Sequence, residues 1–157
     1  MSDPDVAILT APPRILAVRR TTLTLATIQN ALGVLTDVYE ALEEHGLPHL
    51  GINVFVYHNA AGQNLLATES GCPMEVGVAV PAAFESRADV ACSATPGGRV
   101  ARAAHVGPYG LLHQTHKAVR NWCWQNGQKV AGPNWEVYGH GNEDPAALLT
   151  DVVYLLK

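Results

Sequence analysis

The chain has 157 residues, of which 48% are hydrophobic and only 15% are charged, and its formal net charge is −4. This length and apolar content suit one globular domain of roughly 150 residues, so we expect residues 1–157 to form a single domain. The negative charge and the lack of any Lys/Arg cluster exclude autonomous nucleic-acid binding, which needs basic side chains to neutralise phosphates.

Membrane and redox features point to the cytoplasm. No apolar run reaches the roughly 20 residues of a membrane span, and the N-terminus lacks the basic flank and long apolar centre of a signal peptide. We therefore expect a cytoplasmic protein without a membrane partner. The three cysteines, Cys72, Cys92 and Cys123, show no zinc-ligand spacing and are expected to be reduced thiols.

In chain order, the first half predicts a hairpin, a helix and two further strands. Residues 5–20 place a Pro-containing turn between two strand-like runs. A helix follows, with Gly46 as its C-terminal glycine cap; its apolar residues recur at spacings of three and four, namely Ile28, Ala31, Leu35, Val38 and Leu42. One strand then ends at Tyr57, another spans 75–81, and residues 82–88 connect the halves.

The second half repeats this order. A shift of 81 residues lays 46–57 on 127–138 with five identities, and the hairpin of 89–105 resembles that of 5–20. The second helix, bounded by Pro108 and Gly127, keeps the same spacings in Tyr109, Leu112, His116, Val119 and Cys123. We predict two pseudo-repeats, 5–81 and 89–156, that form an α+β fold in which an antiparallel sheet carries two helices framing a central groove.

The run GPNWEVYG places a carboxylate, Glu136, inside the strand that ends the second repeated segment. Side chains alternate across a strand, so Asn134, Glu136 and Tyr138 share one face while Trp135 and Val137 point to the other. A glutamate in such a strand either faces water or lines a pocket.

The repeat favours the pocket, because the counterpart of Glu136 is an aromatic residue, Phe55. Phe55 shares its own strand face with Asn53 and Tyr57. If the two strands lie about a pseudo-twofold axis, the two faces converge.

The segment AHVGPYGLLHQTHKAVRNWCWQNG, followed by GPNWEVY and a closing T-x-x-x-Y-L-L strand, resembles the GyrI-like small-molecule-binding family. That family includes the effector-binding domains of AraC-type and MerR-type multidrug regulators and is related to the SOUL haem-binding proteins. The resemblance implies a duplicated strand-helix-strand-strand fold whose groove has a strand glutamate at its floor. Since no helix-turn-helix fits outside residues 5–157, we expect the stand-alone form of this domain.

The resemblance also implies a ligand site. Glu136 matches the acidic residue that meets cationic, aromatic ligands in the family, and Tyr138 matches the tyrosine two positions on. Other candidate ligand-binding residues are Phe55, Tyr57, Trp135, Tyr109 and Tyr39. A carboxylate walled by aromatic rings suits a flat organic cation.

Three functions remain open at this stage. The leading one is binding of an amphipathic, cationic or aromatic small molecule, with no enzymatic step. The alternative is a hydrolase that opens strained rings of DNA-alkylating natural products, with Glu136 as general base and Tyr138 or Tyr109 stabilising the developing anion. The third is a protein-partner role, such as toxin inhibition or gyrase modulation.

No cofactor or metal is expected. His113 and His116 stand three apart on the second helix, but no third ligand has a metal-site spacing and no residue is marked as a haem axial ligand. His105 and Tyr109 are expected to pack at the corner between a strand and the second helix, with Tyr109 able to reach the groove.

Overall fold

The computed structural model describes residues 5–139 and 148–157. Within these residues, one antiparallel sheet of eight strands carries two α-helices, which confirms the predicted α+β class. The strands are β1 (Ala7–Ala11), β2 (Ile15–Leu23), β3 (Asn53–His58), β4 (Cys72–Ala79), β5 (Ala91–Ala94), β6 (Gly98–Val106), β7 (Val130–Tyr138) and β8 (Leu149–Leu156). The helices are α1 (Ala31–Glu44) and α2 (Leu112–Gln125).

The strand order is β1-β6-β8-β7-β3-β4-β2-β5. This order reads the same from the other end when each strand is exchanged for its counterpart in the other half. β1 pairs with β6 and β5 pairs with β2, so each half lends its first strand to the sheet of the other half. The topology has the symmetry expected of a repeat, while the superposition of the two halves stays a prediction.

Both helices end at a glycine as predicted. Gly46 and Gly127 have φ angles of 65° and 67°, a left-handed conformation that glycine adopts without steric cost. The same backbone bond closes each end, from Leu47 N to Leu42 O at 2.9 Å and from Gln128 N to Cys123 O at 2.8 Å.

The predicted boundaries shift at three places. The helical patterns begin in 3-10 turns, Ile28–Asn30 before α1 and Tyr109–Leu111 before α2. The strand predicted at 75–81 spans Cys72–Ala79 instead, and it begins at Cys72 because β2 pairs with it as far as that residue. Pro73 is tolerated there since β3 pairs with β4 no further than Met74, so no ladder bond toward β3 needs its missing N–H.

The two helices leave the middle of one sheet face between them. α1 packs on β2 and β4, whereas α2 packs on β6 and β8. The central strands β3 and β7 lie side by side between these contacts. Side chains that β3 and β7 direct to this face therefore stand between the helices.

The other face of the sheet has its own core. Its buried cluster is made of Leu16, Val18, Val54, Val56, Ala79, Val100, Trp135 and Val153. The sheet bends around this cluster, because only three residues connect β1 to β2 and three connect β5 to β6, and each of these connections links strands near opposite ends of the strand order. Arg14 and Thr95, from the two hairpin turns, exchange hydrogen bonds of 2.8 and 2.9 Å. No helix in the described ranges is long and apolar enough to span a membrane.

Candidate functional site

Phe55 and Glu136 lie directly opposite each other where β3 pairs with β7. These are the two positions that the repeat aligns, and in the structure they stand side by side on one face of the sheet. Neighbouring residues on the same face follow from strand alternation: Tyr57 lies beyond Phe55, and Tyr138 lies beyond Glu136.

Glu136 is almost fully buried, with 4% of its surface exposed, and its carboxylate is surrounded by donors. The hydroxyls of Tyr57 and Tyr138 each donate a hydrogen bond of 2.7 Å to Oε1. On the other oxygen, Oε2, the imidazole Nε2 of His116 lies at 2.7 Å. Two strands and one helix thus hold one carboxylate.

The donors decide the charge of this carboxylate. Burial by itself raises the pKa of Glu136, but the bond and charge of His116, with the bonds from Tyr138 and Tyr57, outweigh burial and lower that pKa below its ordinary value. Burial, together with the charge of Glu136, raises the pKa of both tyrosines well above the usual value. Glu136 is therefore an anion held by two neutral phenols.

Aromatic rings connect this anion to the surface. The Tyr138 ring packs edge-on against Phe55, with centroids 5.1 Å apart, and against Tyr109, with centroids 5.4 Å apart. Phe55 is 7% exposed, whereas Tyr109 is 46% exposed. The rings therefore run from solvent to the wall of the carboxylate.

A family model described as GyrI-like small molecule binding domain matches residues 4–156. The chain belongs to the GyrI-like family. The predicted membership is confirmed, and small-molecule binding is the function that the family carries. No protein with a curated description matches the chain significantly.

Solved structures show the same GyrI-like fold at low sequence identity. The EcmrR C-terminal domain is 17% identical, with a TM-score of 0.79 and 98% of each chain covered. SAV2435 bound to tetraphenylphosphonium is 12% identical, with a TM-score of 0.64, covering 98% of this chain and 94% of that one. A hydrolase encoded by lin2189 from Listeria innocua is 10% identical, with a TM-score of 0.61, covering 99% of this chain and 93% of that one.

Two of the candidate residues of this GyrI-like domain lie apart from the carboxylate contacts. Trp135 is buried in the core on the opposite face of the sheet, as alternation along β7 requires. Tyr39 of α1 donates its hydroxyl hydrogen to Asn53 Oδ1, and its ring packs edge-on against His49. Neither residue is among the hydrogen-bond or ring partners of the Glu136 cluster.

The sequence did not predict the polar residues of α2 and β8 that cover Glu136. His116 was assigned to the apolar stripe of α2, and its Nδ1 in fact lies 2.6 Å from the hydroxyl of Tyr154 on β8. Arg120, one turn further along α2, donates to the same hydroxyl at 3.0 Å. The available signal was chemical: a histidine on a buried stripe and a glutamate in a buried strand both need partners.

His105 behaves as predicted for the corner of this GyrI-like domain. Its Nδ1 lies 2.7 Å from the Thr115 hydroxyl and its Nε2 lies 2.9 Å from the Pro108 carbonyl oxygen. These bonds fasten the end of β6 to the start of α2. His105 is therefore a structural residue of β6 that anchors α2, the helix that covers Glu136.

Two surface cavities, of about 290 and 520 Å³, lie elsewhere in the domain. The first is lined by Arg20, His58 and Glu75, and the second by residues that include Arg19 and Asp89. Neither is lined by Glu136, whose carboxylate is closed from solvent. No group of three His, Cys, Asp or Glu side chains within the described ranges could hold a metal ion.

Proposed function

We propose that this GyrI-like domain binds an amphipathic, cationic aromatic small molecule against Glu136, above β3 and β7 and between the two helices. The observation that carries the proposal is the buried, ionised carboxylate beside the rings of Tyr57, Tyr138 and Phe55. A buried charge that is kept ionised attracts an opposite charge that can leave water at low cost.

The surroundings select the kind of cation. A small hydrated ion would lose water that aromatic walls cannot replace, whereas a delocalised organic cation loses little hydration. Each ring face in contact with it adds roughly 0.5–2 kcal/mol. Tetraphenylphosphonium, the ligand of the structurally similar SAV2435, is a cation of this class.

A second candidate function is hydrolysis of a strained ring. Two tyrosine hydroxyls beside a carboxylate favour it, and a structural neighbour is described as a hydrolase. The lowered pKa of Glu136 argues against it, since a general base works best with a pKa near the operating pH. Catalytic consumption of a cyclopropane-bearing alkylator by the wild type, lost in Glu136→Gln, would favour hydrolysis over binding.

The binding proposal is tested by removing the charge and keeping the shape. We expect Glu136→Gln to weaken binding of rhodamine 6G, followed by fluorescence anisotropy, by about 30-fold to several thousand-fold, because truncating a buried charge contact costs about 2–5 kcal/mol. The affinity for triphenylphosphine oxide, a neutral aromatic compound, should fall far less in the same variant.

A matched control is available on the other face of the sheet. Glu75 is also buried, at 8% exposed, and its Oε1 accepts from His58 at 2.9 Å. Since Met74 and Val76 face the helices, Glu75 faces away from them. Glu75→Gln should leave rhodamine binding unchanged. An equal, small loss for the cation and the neutral compound in Glu136→Gln would reject the proposed function.

A further inference from the structure

A chain of hydrogen bonds crosses from the surface of α2 to the buried carboxylate. Arg120, which is exposed, donates to the Tyr154 hydroxyl at 3.0 Å; that hydroxyl lies 2.6 Å from His116 Nδ1; and His116 Nε2 lies 2.7 Å from Glu136 Oε2. The side chains of His116 and Glu136 are only 13% and 5% exposed. The imidazole is thus locked at both nitrogens.

The two ends of the chain fix which atoms donate there. An arginine can only donate, so the Tyr154 oxygen accepts from Arg120. Burial raises the pKa of Tyr154 to about 12, so the phenol keeps its own hydrogen. The ionised Glu136 oxygen can only accept, so His116 Nε2 carries the hydrogen that is donated to it.

The two carboxylate oxygens are not equivalent. Oε1 accepts from both tyrosine hydroxyls, whereas Oε2 accepts from His116 alone among the described residues. The imidazole is therefore the group that stands where a cation would approach Oε2.

We infer that His116 is a built-in occupant of the cation site: a ligand reaches Glu136 by displacing the imidazole, and the hydroxyl of Tyr154 sets how firmly the imidazole is held. The inference rests on the proposed function and adds a specificity-determining pair to it, Tyr154 and His116. A compound must therefore offer more to Oε2 than one charge-assisted hydrogen bond.

The first test removes the occupant. His116→Ala should bind tetraphenylphosphonium, measured by isothermal titration calorimetry, about tenfold more tightly than the wild type, because the ligand no longer breaks a bond to a charged group. Unchanged or weaker binding in His116→Ala overturns the inference. The proposed function is judged separately, by the loss of binding in Glu136→Gln.

A second pair of variants keeps the test valid if His116→Ala does not fold. Tyr154→Phe removes the hydroxyl that lies 2.6 Å from Nδ1 of His116. Thr115→Val removes the hydroxyl that lies 2.7 Å from Nδ1 of His105. Only the first removes a hydrogen bond from the imidazole that contacts Glu136. We expect Tyr154→Phe to tighten tetraphenylphosphonium binding about threefold or more and Thr115→Val to leave it unchanged. Equal affinities in the two variants would overturn the inference.

A spectroscopic signature separates displacement from a merely structural role. In the wild type, the imidazole ¹⁵N shifts of His116 should report hydrogen on Nε2. Saturating tetraphenylphosphonium should move them to the averaged shifts of a free imidazole, while those of His105 stay in place. His116 shifts that do not change at saturation would show that the imidazole remains on Glu136, against the inference.

Discussion

The two halves of the molecule fill the same central position in opposite ways. In the first half, Phe55 on β3 packs in an apolar cluster that Leu35 of α1 also joins. In the second half, 81 residues later, Glu136 on β7 is bonded to His116 of α2 at 2.7 Å. Two apolar residues of one cluster and a hydrogen-bonded His–Glu pair thus occupy positions that the sequence repeat aligns.

What the halves share is equally informative. Tyr57 and Tyr138, aligned by the repeat, both donate to Oε1 of the same glutamate. The first half therefore supplies a donor to a site whose charge belongs to the second half. The fold therefore needs a filled position here but not a polar one, which supports the ligand role that we propose for the polar pair.

The largest expected effect on stability comes from replacing Glu136 alone by an apolar residue. Glu136→Met keeps the length of the side chain but leaves His116 Nε2 and two tyrosine hydroxyls without their acceptor. We expect the free energy of unfolding, measured by urea denaturation, to fall by about 3–5 kcal/mol, as when one partner of a buried pair is removed. A loss below about 1 kcal/mol would mean that these donors find other partners.

The matching control completes the apolar pair. His116→Leu copies Leu35, and the double variant His116→Leu/Glu136→Met should be more stable than Glu136→Met by about 1–3 kcal/mol, since a buried pair is often replaced by apolar residues at little cost. If the double variant loses the sum of the two single losses, the pair is not coupled and the comparison between the halves fails.

The shared tyrosines give a smaller, balanced effect. Tyr57→Phe and Tyr138→Phe each remove one hydroxyl that donates at 2.7 Å to the same oxygen. Each should lower the free energy of unfolding in urea by about 1.5–3 kcal/mol, the usual contribution of a hydrogen bond to a charged group. Losses that differ by more than about 1 kcal/mol would show that the two halves do not support Glu136 equally.

Local patterns explain what the sequence could predict of this site. Strand alternation placed Glu136 and Tyr138 on one face, and the repeat supplied Phe55 as the residue opposite. The same alternation directs Trp135 away from that face, so its place among the candidates came from the family resemblance alone.

The partners across the sheet could not be predicted in the same way. Periodicity shows that His116 points toward the sheet, but it does not show which strand residue it meets. The partner of Tyr154 could not be predicted either. Strand alternation assigns the face on which Tyr154 lies, but the register between β7 and β8 includes an irregularity between Val130 and Asn134. Helix position and strand register arise from packing of the whole sheet. The polar residues that contact Glu136 could therefore be identified only from the structure.

The smallest expected effect is a dependence of stability on pH that comes from Glu136 and that its apolar counterpart, Phe55, cannot give. The pKa of Glu136 is lowered below the ordinary 4.5, chiefly because the donors led by His116 overcome burial. A carboxyl with a lowered folded pKa adds stability that is present above the unfolded pKa and is lost as the pH falls through the folded pKa. The difference in unfolding free energy between the wild type and Glu136→Gln should therefore shrink on acidification from pH 5 to pH 3.

Other carboxylates titrate in both proteins and cancel in the difference, which urea denaturation at each pH would measure. A difference that stays constant over that range would mean that Glu136 has no lowered pKa, and the contrast with Phe55 would then be one of shape and not of charge.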